Sequence, residues 1–208
     1  MSSIPTTSAD HGVGSGHGTP MRHNTRFNNG LLGVLFFLCT EVALFGSLIF
    51  AYLYLRGLQT AWPPPGVERP AIALGALNAV ILISSSFWCH FAEKAIAEGK
   101  RRLFTFWLLV TIICGSIFVT VQAIEYHNIK GATWSGNHAD MLGASFFTLT
   151  GLHGAHVTIG VLAWIAILIQ GLRGRWTPAH HFPVRGVALY WHFVDGVWVL
   201  LFTLFYLV

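Results

Sequence analysis

Charge is what this sequence has least of. Only 10% of its 208 residues are Asp, Glu, Lys or Arg, whereas soluble domains carry roughly 25%. An ordinary water-facing globular surface is thereby excluded. Cysteine is scarce too. Cys39, Cys89 and Cys114 form no CxxC pair, so neither a disulfide framework nor a thiolate metal site is supported. A dinuclear copper centre would lack its closely spaced thiolates, and the three cysteines read as small core hydrophobes. The amino-terminal stretch lacks the basic start, apolar centre and small-residue cleavage site of a signal peptide. Internal repeats are missing as well. The calculated pI is near 9.2, yet the basic residues never gather into one patch, which sets nucleic acid aside as a partner.

What is present is hydrophobic residues, 54% of the chain, gathered into five long apolar segments. A membrane-crossing helix needs about 20 such residues. The predicted spans are residues 31–55, 71–91, 103–127, 141–170 and 186–208, an all-α polytopic membrane protein over residues 27–208. They leave no room within those residues for a separate soluble catalytic domain. Residues 1–26 form a polar tail rich in Ser, Thr, Gly and His, whose composition points to disorder. Its His11, His17 and His23 are six residues apart, a spacing with no coordinating logic. Trp62 and the run Pro63-Pro64-Pro65 predict an extended first connector, and Pro70 suits the first turn of span two. The second connector, Glu93 to Arg102, is strongly charged. The third, Asn128 to Asp140, is polar, and the fourth, Gly171 to Arg185, is basic and contains Pro178 and Pro183.

Lysine and arginine placement predicts orientation. The tail and the second and fourth connectors, all on one side of a five-span chain, hold Arg22, Arg26, Lys94, Lys100, Arg101, Arg102, Arg173, Arg175 and Arg185. The other side holds Arg56, Arg69 and Lys130. The expectation is an amino terminus in the cytoplasm and a carboxyl terminus outside. Trp62 and Trp134 on the outer side, with Trp107 and Trp176 near the inner ends, fit interfacial aromatic belts.

The exceptions to the apolar rule are the informative residues. Glu41 lies in span one, Glu125 late in span three, His153 and His156 in span four, and His192 and Asp195 in span five. An ionisable group at membrane depth costs several kcal/mol, so it normally has a partner and often a role. At a rise of about 1.5 Å per residue, Glu41 lies about 15 Å deep, His192 about 9 Å and Asp195 about 13 Å from the inner side. His153 lies about 17–18 Å from the outer side and His156 about 4.5 Å further in. In a hydrocarbon core of about 30 Å, His153 is then level with Asp195 and His156 with His192. Each pair has i, i+3 spacing and shares one helical face, so spans four and five are expected to present matching polar pairs to each other. Small residues around them (Gly143, Ala144, Gly151, Gly154, Ala155, Gly160 and Gly196) allow close approach. Glu125 and Tyr126 are expected at the water interface.

Four readings of this set stand on spacing alone. One is a buried hydrogen-bonded network of Glu41, His153, His156, His192 and Asp195 that locks helices together. The others are a b-type haem held by two histidines, a zinc or non-haem metal site, and a proton relay. An ion or proton transporter would need polar groups continuing to the outer side, and the sequence offers few.

The run Ser145-Phe146-Phe147-Thr148-Leu149-Thr150-Gly151-Leu152-His153-Gly154-Ala155-His156-Val157-Thr158-Ile159-Gly160 resembles subunit III of the haem–copper respiratory oxidases. So do Tyr190-Trp191-His192-Phe193-Val194-Asp195-Gly196-Val197-Trp198, Thr40-Glu41-Val42 and Gln122-Ala123-Ile124-Glu125-Tyr126. The resemblance runs from about Gly30 to Val208. It implies an all-helical subunit in a bacterial plasma membrane that packs against subunit I, with subunit II and a small subunit IV as further neighbours and phospholipids as ligands. It further implies that this chain holds no haem, no copper and no catalytic residue. Oxygen reduction and proton pumping belong to subunit I, whose proton uptake and stability subunit III supports. The position of Glu41 faces subunit I in that family, and no lipid-contact residue is carried over. Many members have seven spans with a lipid cleft after the second, whereas this chain begins where their third would be. The cytochrome c branch is favoured, with the quinol oxidase branch as the alternative. An independent bis-histidine b-type cytochrome on His153 and His192 is the reading from a different class.

Overall fold

A computed structural model describes residues 25–58, 72–133 and 140–207, and they are helical almost throughout. Inside a bilayer every peptide N–H and C=O must be paired within the chain, which leaves the helix as the outcome for long apolar segments. Five helices follow in order: α1 (Thr25–Gly57), α2 (Ile72–Ala97), α3 (Arg101–Thr133), α4 (Asp140–Leu172) and α5 (Phe182–Phe202). The final turn, Thr203–Leu207, widens into a π-helix. All five helices are long and apolar enough to cross a membrane. The proline run, Trp62, Pro70, Trp134 and most of the polar tail lie outside the described residues.

Several ends differ from the sequence expectation. The tail's last two residues, Thr25 and Arg26, already belong to α1. The charged second connector shrinks to three residues. Helix α2 runs on to Ala97, where Gly99 takes a left-handed conformation, φ 75°. Lys100 N–H then returns to Ala95 C=O at 2.8 Å and Gly99 N–H to Ile96 C=O at 3.0 Å, the paired bonds of a Schellman cap. Gly174, φ 73°, ends the helical turn after α4 in the same way, with Arg175 N–H on Gln170 C=O at 3.1 Å. Helix α3 continues through Thr133, into the segment expected to be a polar loop. Helix α5 starts at Phe182 with Pro183 in its first turn, where the missing N–H costs nothing.

Helices α2, α3, α4 and α5 form a closed ring in which each packs against its two neighbours, and α1 lies across α4 and α5. The ring is centred on Trp191, fully buried. A methyl group on Gly160 of α4 or on Gly115 of α3 would stand 2.7 Å from its indole, so only glycine admits the ring at these two positions. Its Nε1 donates to Ser85 Oγ of α2 at 2.9 Å. One side chain of α5 thereby touches all three other helices of the ring. Trp164, Trp198, Phe104, Phe118 and Leu82 fill the layers above and below. Trp176 is buried, and its Nε1 donates to Ile167 C=O at 2.9 Å. Hydroxyls on the apolar helix faces satisfy themselves locally. Thr40, Ser47, Ser116 and Thr158 each donate to a carbonyl three or four residues back, which permits them at membrane depth.

Candidate functional site

The five singled-out residues do not form one connected set among the described residues. They fall into two hydrogen-bonded groups and one solitary ring, and a further polar group joins α3 to α4 and to the π-helical turn.

The first group joins α1 to α4. His156 Nδ1 is 2.7 Å from Leu152 C=O, and its Nε2 is 2.8 Å from Glu41 Oε2. A carbonyl can only accept, so Nδ1 carries a hydrogen. Nε2 and Oε2 then face each other with a single proton between them, either on the carboxyl with a neutral imidazole or on an imidazolium beside a carboxylate. Both arrangements are electrically neutral overall, as a low-dielectric site requires. Removing that proton would set a carboxylate against a nitrogen lone pair and push α1 away. Phe45 meets the His156 ring edge-on at 5.1 Å. Tyr190 of α5 donates to the His156 C=O at 3.0 Å.

The second group joins α5 to α2. The Ser86 hydroxyl is hydrogen-bonded to Asp195 Oδ2 and lies 3.1 Å from His192 Nδ1. Asp195 is almost fully buried, and its Oδ1 has no hydrogen-bond partner among the described residues.

His153 stands alone. It is fully buried, stacks on Trp198 with centroids 5.1 Å apart and meets Phe118 edge-on at 5.6 Å. Neither ring nitrogen has a hydrogen-bond partner among the described residues. The expected pairing of His153 with Asp195 and of His156 with His192 is corrected accordingly. Helices α4 and α5 do pack together, but α4 turns His156 towards α1 while α5 turns His192 and Asp195 towards α2. Equal depth says nothing about rotation around the helix axis, and each residue of rotation turns a side chain by about 100°.

The further group corrects the second expectation. Glu125 is 4% exposed rather than interfacial, and it accepts a hydrogen bond from Tyr206 at 3.0 Å. Beside it, Gln122 Nε2 donates to Thr150 C=O at 2.7 Å, and the Tyr126 and Thr150 hydroxyls are bonded to each other. A Cβ on Gly154 would meet the Gln122 amide at 2.8 Å, which gives that glycine its reason. The π-helical turn places Tyr206 on the inside, packed against Gly75 of α2.

Sequence reasoning passed over Ser86 and Tyr206, and it named Gln122, Thr150 and Tyr190 only within motifs, without partners. A signal existed for the first: Ser84-Ser85-Ser86 interrupts the apolar centre of α2, at the same distance from the inner end as the polar pair of α5. No cluster of three or more His, Cys, Asp or Glu side chains suited to a metal occurs among the described residues.

Fold and buried groups together define a polytopic helical membrane protein whose ionisable side chains are turned onto neighbouring helices. A family model for cytochrome c oxidase subunit III matches residues 14–208. Cytochrome c oxidase subunit 3 of Synechocystis sp. is 37% identical over 195 residues, spanning 93% of this chain and 80% of the relative. That of Thermostichus vulcanus is 37% identical over 178 residues, 85% of this chain and 86% of the relative. That of Mus musculus is 33% identical over 202 residues, 94% and 74% respectively. The chain belongs to the cytochrome c oxidase subunit III family.

Proposed function

We propose that this chain is the membrane-embedded subunit III of a bacterial cytochrome c oxidase, that it holds no redox centre, and that it stabilises the catalytic subunit and sustains its proton uptake. The observation that carries this reading is the family match, which extends through all five helices. Its neighbours are subunit I, subunit II and, where the complex has one, a small subunit IV, with phospholipid around them. Its amino terminus is in the cytoplasm, following the bias of basic residues, and the membrane is the plasma membrane. Haem and copper reside in the partner subunits.

Packing supports a structural role for the polar set. His153 is covered by Trp198 and Phe118, rings that stand where a haem macrocycle would need space. His192 is engaged with Ser86 on α2, away from His153. Helix α1 supports docking to a partner, since Phe36, Phe50 and Tyr54 are each more than 60% exposed.

The test is purification of the complex through a tag on this chain, with subunits identified by mass spectrometry and haem and copper quantified. Cytochrome c oxidation with subunits I and II present is the expected result. Haem and copper per assembled complex remain unchanged in His153→Ala and His192→Ala. A haem lost stoichiometrically with either histidine, in a complex that otherwise assembles, would overturn the reading.

A further inference from the structure

Ser86 occupies a position that a merely structural hydroxyl does not need. Its oxygen lies between two titratable groups of α5, Asp195 Oδ2 on one side and His192 Nδ1 on the other. A hydroxyl has one hydrogen to donate and lone pairs to accept with. It can therefore bond both neighbours only if its donation points one way and its acceptance the other. Two arrangements satisfy this. In one, a protonated Asp195 donates to Ser86, and Ser86 donates to the bare Nδ1 of His192. In the other, His192 Nδ1–H donates to Ser86, and Ser86 donates to an ionised Asp195. The heavy atoms are in place for both.

We propose that Asp195, Ser86 and His192 form a hydroxyl-bridged proton relay, through which the buried carboxyl group of Asp195 exchanges its proton with the end of the bundle that carries the basic connectors. The step balances. The Asp195 O–H bond breaks as its proton passes to the Ser86 oxygen, and the Ser86 O–H proton passes to His192 Nδ1. Serine ends as it began, with one hydrogen; Asp195 becomes a carboxylate and His192 an imidazolium. Release of the Nε2 proton to a carboxylate or to water at the bundle end leaves the second arrangement above. The reverse sequence reloads Asp195.

Helix α2 supplies the continuation. Ser86, His90 and Glu93 follow one another at intervals of four and three residues, which places them on one stripe of the helix. Both Glu93 and His90 are within electrostatic reach of His192. His90 is exposed and Glu93 partly so, and Glu93 lies four residues before the end of α2 at Ala97. Buried groups thus lead by single helical turns to the surface. Of the other titratable groups on the elements around α5, Cys89 of α2 is in electrostatic contact with Asp195, His153 of α4 is stacked on Trp198, and Glu41 of α1 is engaged with His156. On α3, Glu125 accepts from Tyr206, Tyr126 is bonded to Thr150 and Cys114 interacts with Ser84. Beyond Asp195 the path stops among the described residues: Oδ1 has no hydrogen-bond partner, and Ser85, which also interacts with the carboxyl, gives its hydrogen to Leu82 C=O. The relay is a one-ended proton store rather than a channel, and it goes beyond the supporting role proposed above.

Infrared spectroscopy of the purified complex after a pH jump tests it, with carboxyl-labelled aspartate and the Asp195 signal assigned by its loss in Asp195→Asn. In the parent complex the Asp195 signal follows the jump. Ser86→Ala slows that response tenfold or more, and Ser86→Thr, which keeps the hydroxyl, restores it. Should Ser86→Ala fail to assemble, His192→Phe replaces it with the same slowing expected. An Asp195 signal that does not respond in the parent, or that responds at the parent rate in Ser86→Ala or His192→Phe, overturns the proposal.

Discussion

Helix α1 and helix α5 are both long apolar spans, but only 6% of an 18-residue apolar stretch of α1 is buried in the chain, against 44% of the corresponding stretch that begins in α5. Helix α5 and its π-helical end are held by shape at several points: Trp191 between two glycines, Trp198 against Phe118 at 4.8 Å, Tyr206 against Gly75. Helix α1 is held at fewer points, by the Phe182 ring against Gly30, a few other rings and one polar pair. Within lipid, water exclusion does not draw helices together, so close packing and interhelical hydrogen bonds must do so. A helix with fewer close contacts therefore depends on its polar pair more than a well-packed helix does.

Substitutions sharpen or break that contrast. Trp191→Ala should have the largest effect, about 3–5 kcal/mol as for a large-to-small change of a buried aromatic, read as loss of this subunit from the complex on thermal challenge. Gly160→Leu should follow at about 1–3 kcal/mol from overpacking, read on thermal unfolding of the subunit separated from its partners, where Gly46→Leu on α1, with nothing of this chain within 4 Å of its added carbon, should change nothing. Equal losses for the two glycines would dissolve the contrast. At the polar pair, Glu41→Leu should cost about 1–3 kcal/mol by leaving His156 Nε2 unpaired, while Glu41→Gln, which keeps a donor for that nitrogen, should stay near the parent. Proteolysis of the α1 segment in detergent measures both, and a Gln variant as labile as Leu would contradict the shared-proton geometry. Tyr206→Phe should cost about 1 kcal/mol in the same melting assay. The smallest effect belongs to the connector. Lys100 bonds Glu98 at 2.6 Å and holds its carboxyl below the usual range, first by that hydrogen bond and then by charge. The resulting stabilisation is present above the ordinary glutamate pKa and fades as pH falls through the lowered one. Both side chains are exposed, so Lys100→Ala should leave the melting temperature unaltered at neutral and at acidic pH.

Much of this was legible in the residues. Length and hydropathy located all five spans to within a few residues at most ends, and the motifs around His153 and Asp195 carried the family resemblance. Two of the ends that moved did so where backbone chemistry decides: Gly99 closing α2, Pro183 opening α5. Glu125 was misplaced because a position near a span end was equated with contact with water, whereas Tyr206 arrives from the π-helical turn to cover it. Ser86 was passed over because a serine within an apolar run satisfies itself on its own helix as readily as it serves a neighbour. Its neighbour Ser84 does the former, donating to Ile81 C=O at 2.7 Å.

The sequence by itself determined how many helices are long and apolar enough to cross a membrane and how far along its helix each ionisable group lies, because both follow from hydropathy and a fixed rise per residue. The tertiary structure alone decided who meets whom: Glu41 with His156, Asp195 and His192 with Ser86, His153 with aromatic rings. Depth is a coordinate along a helix, whereas partnership depends on its rotation and on which neighbour it faces. Those are settled by packing around Trp191, Gly115 and Gly160, contacts that no single helix contains.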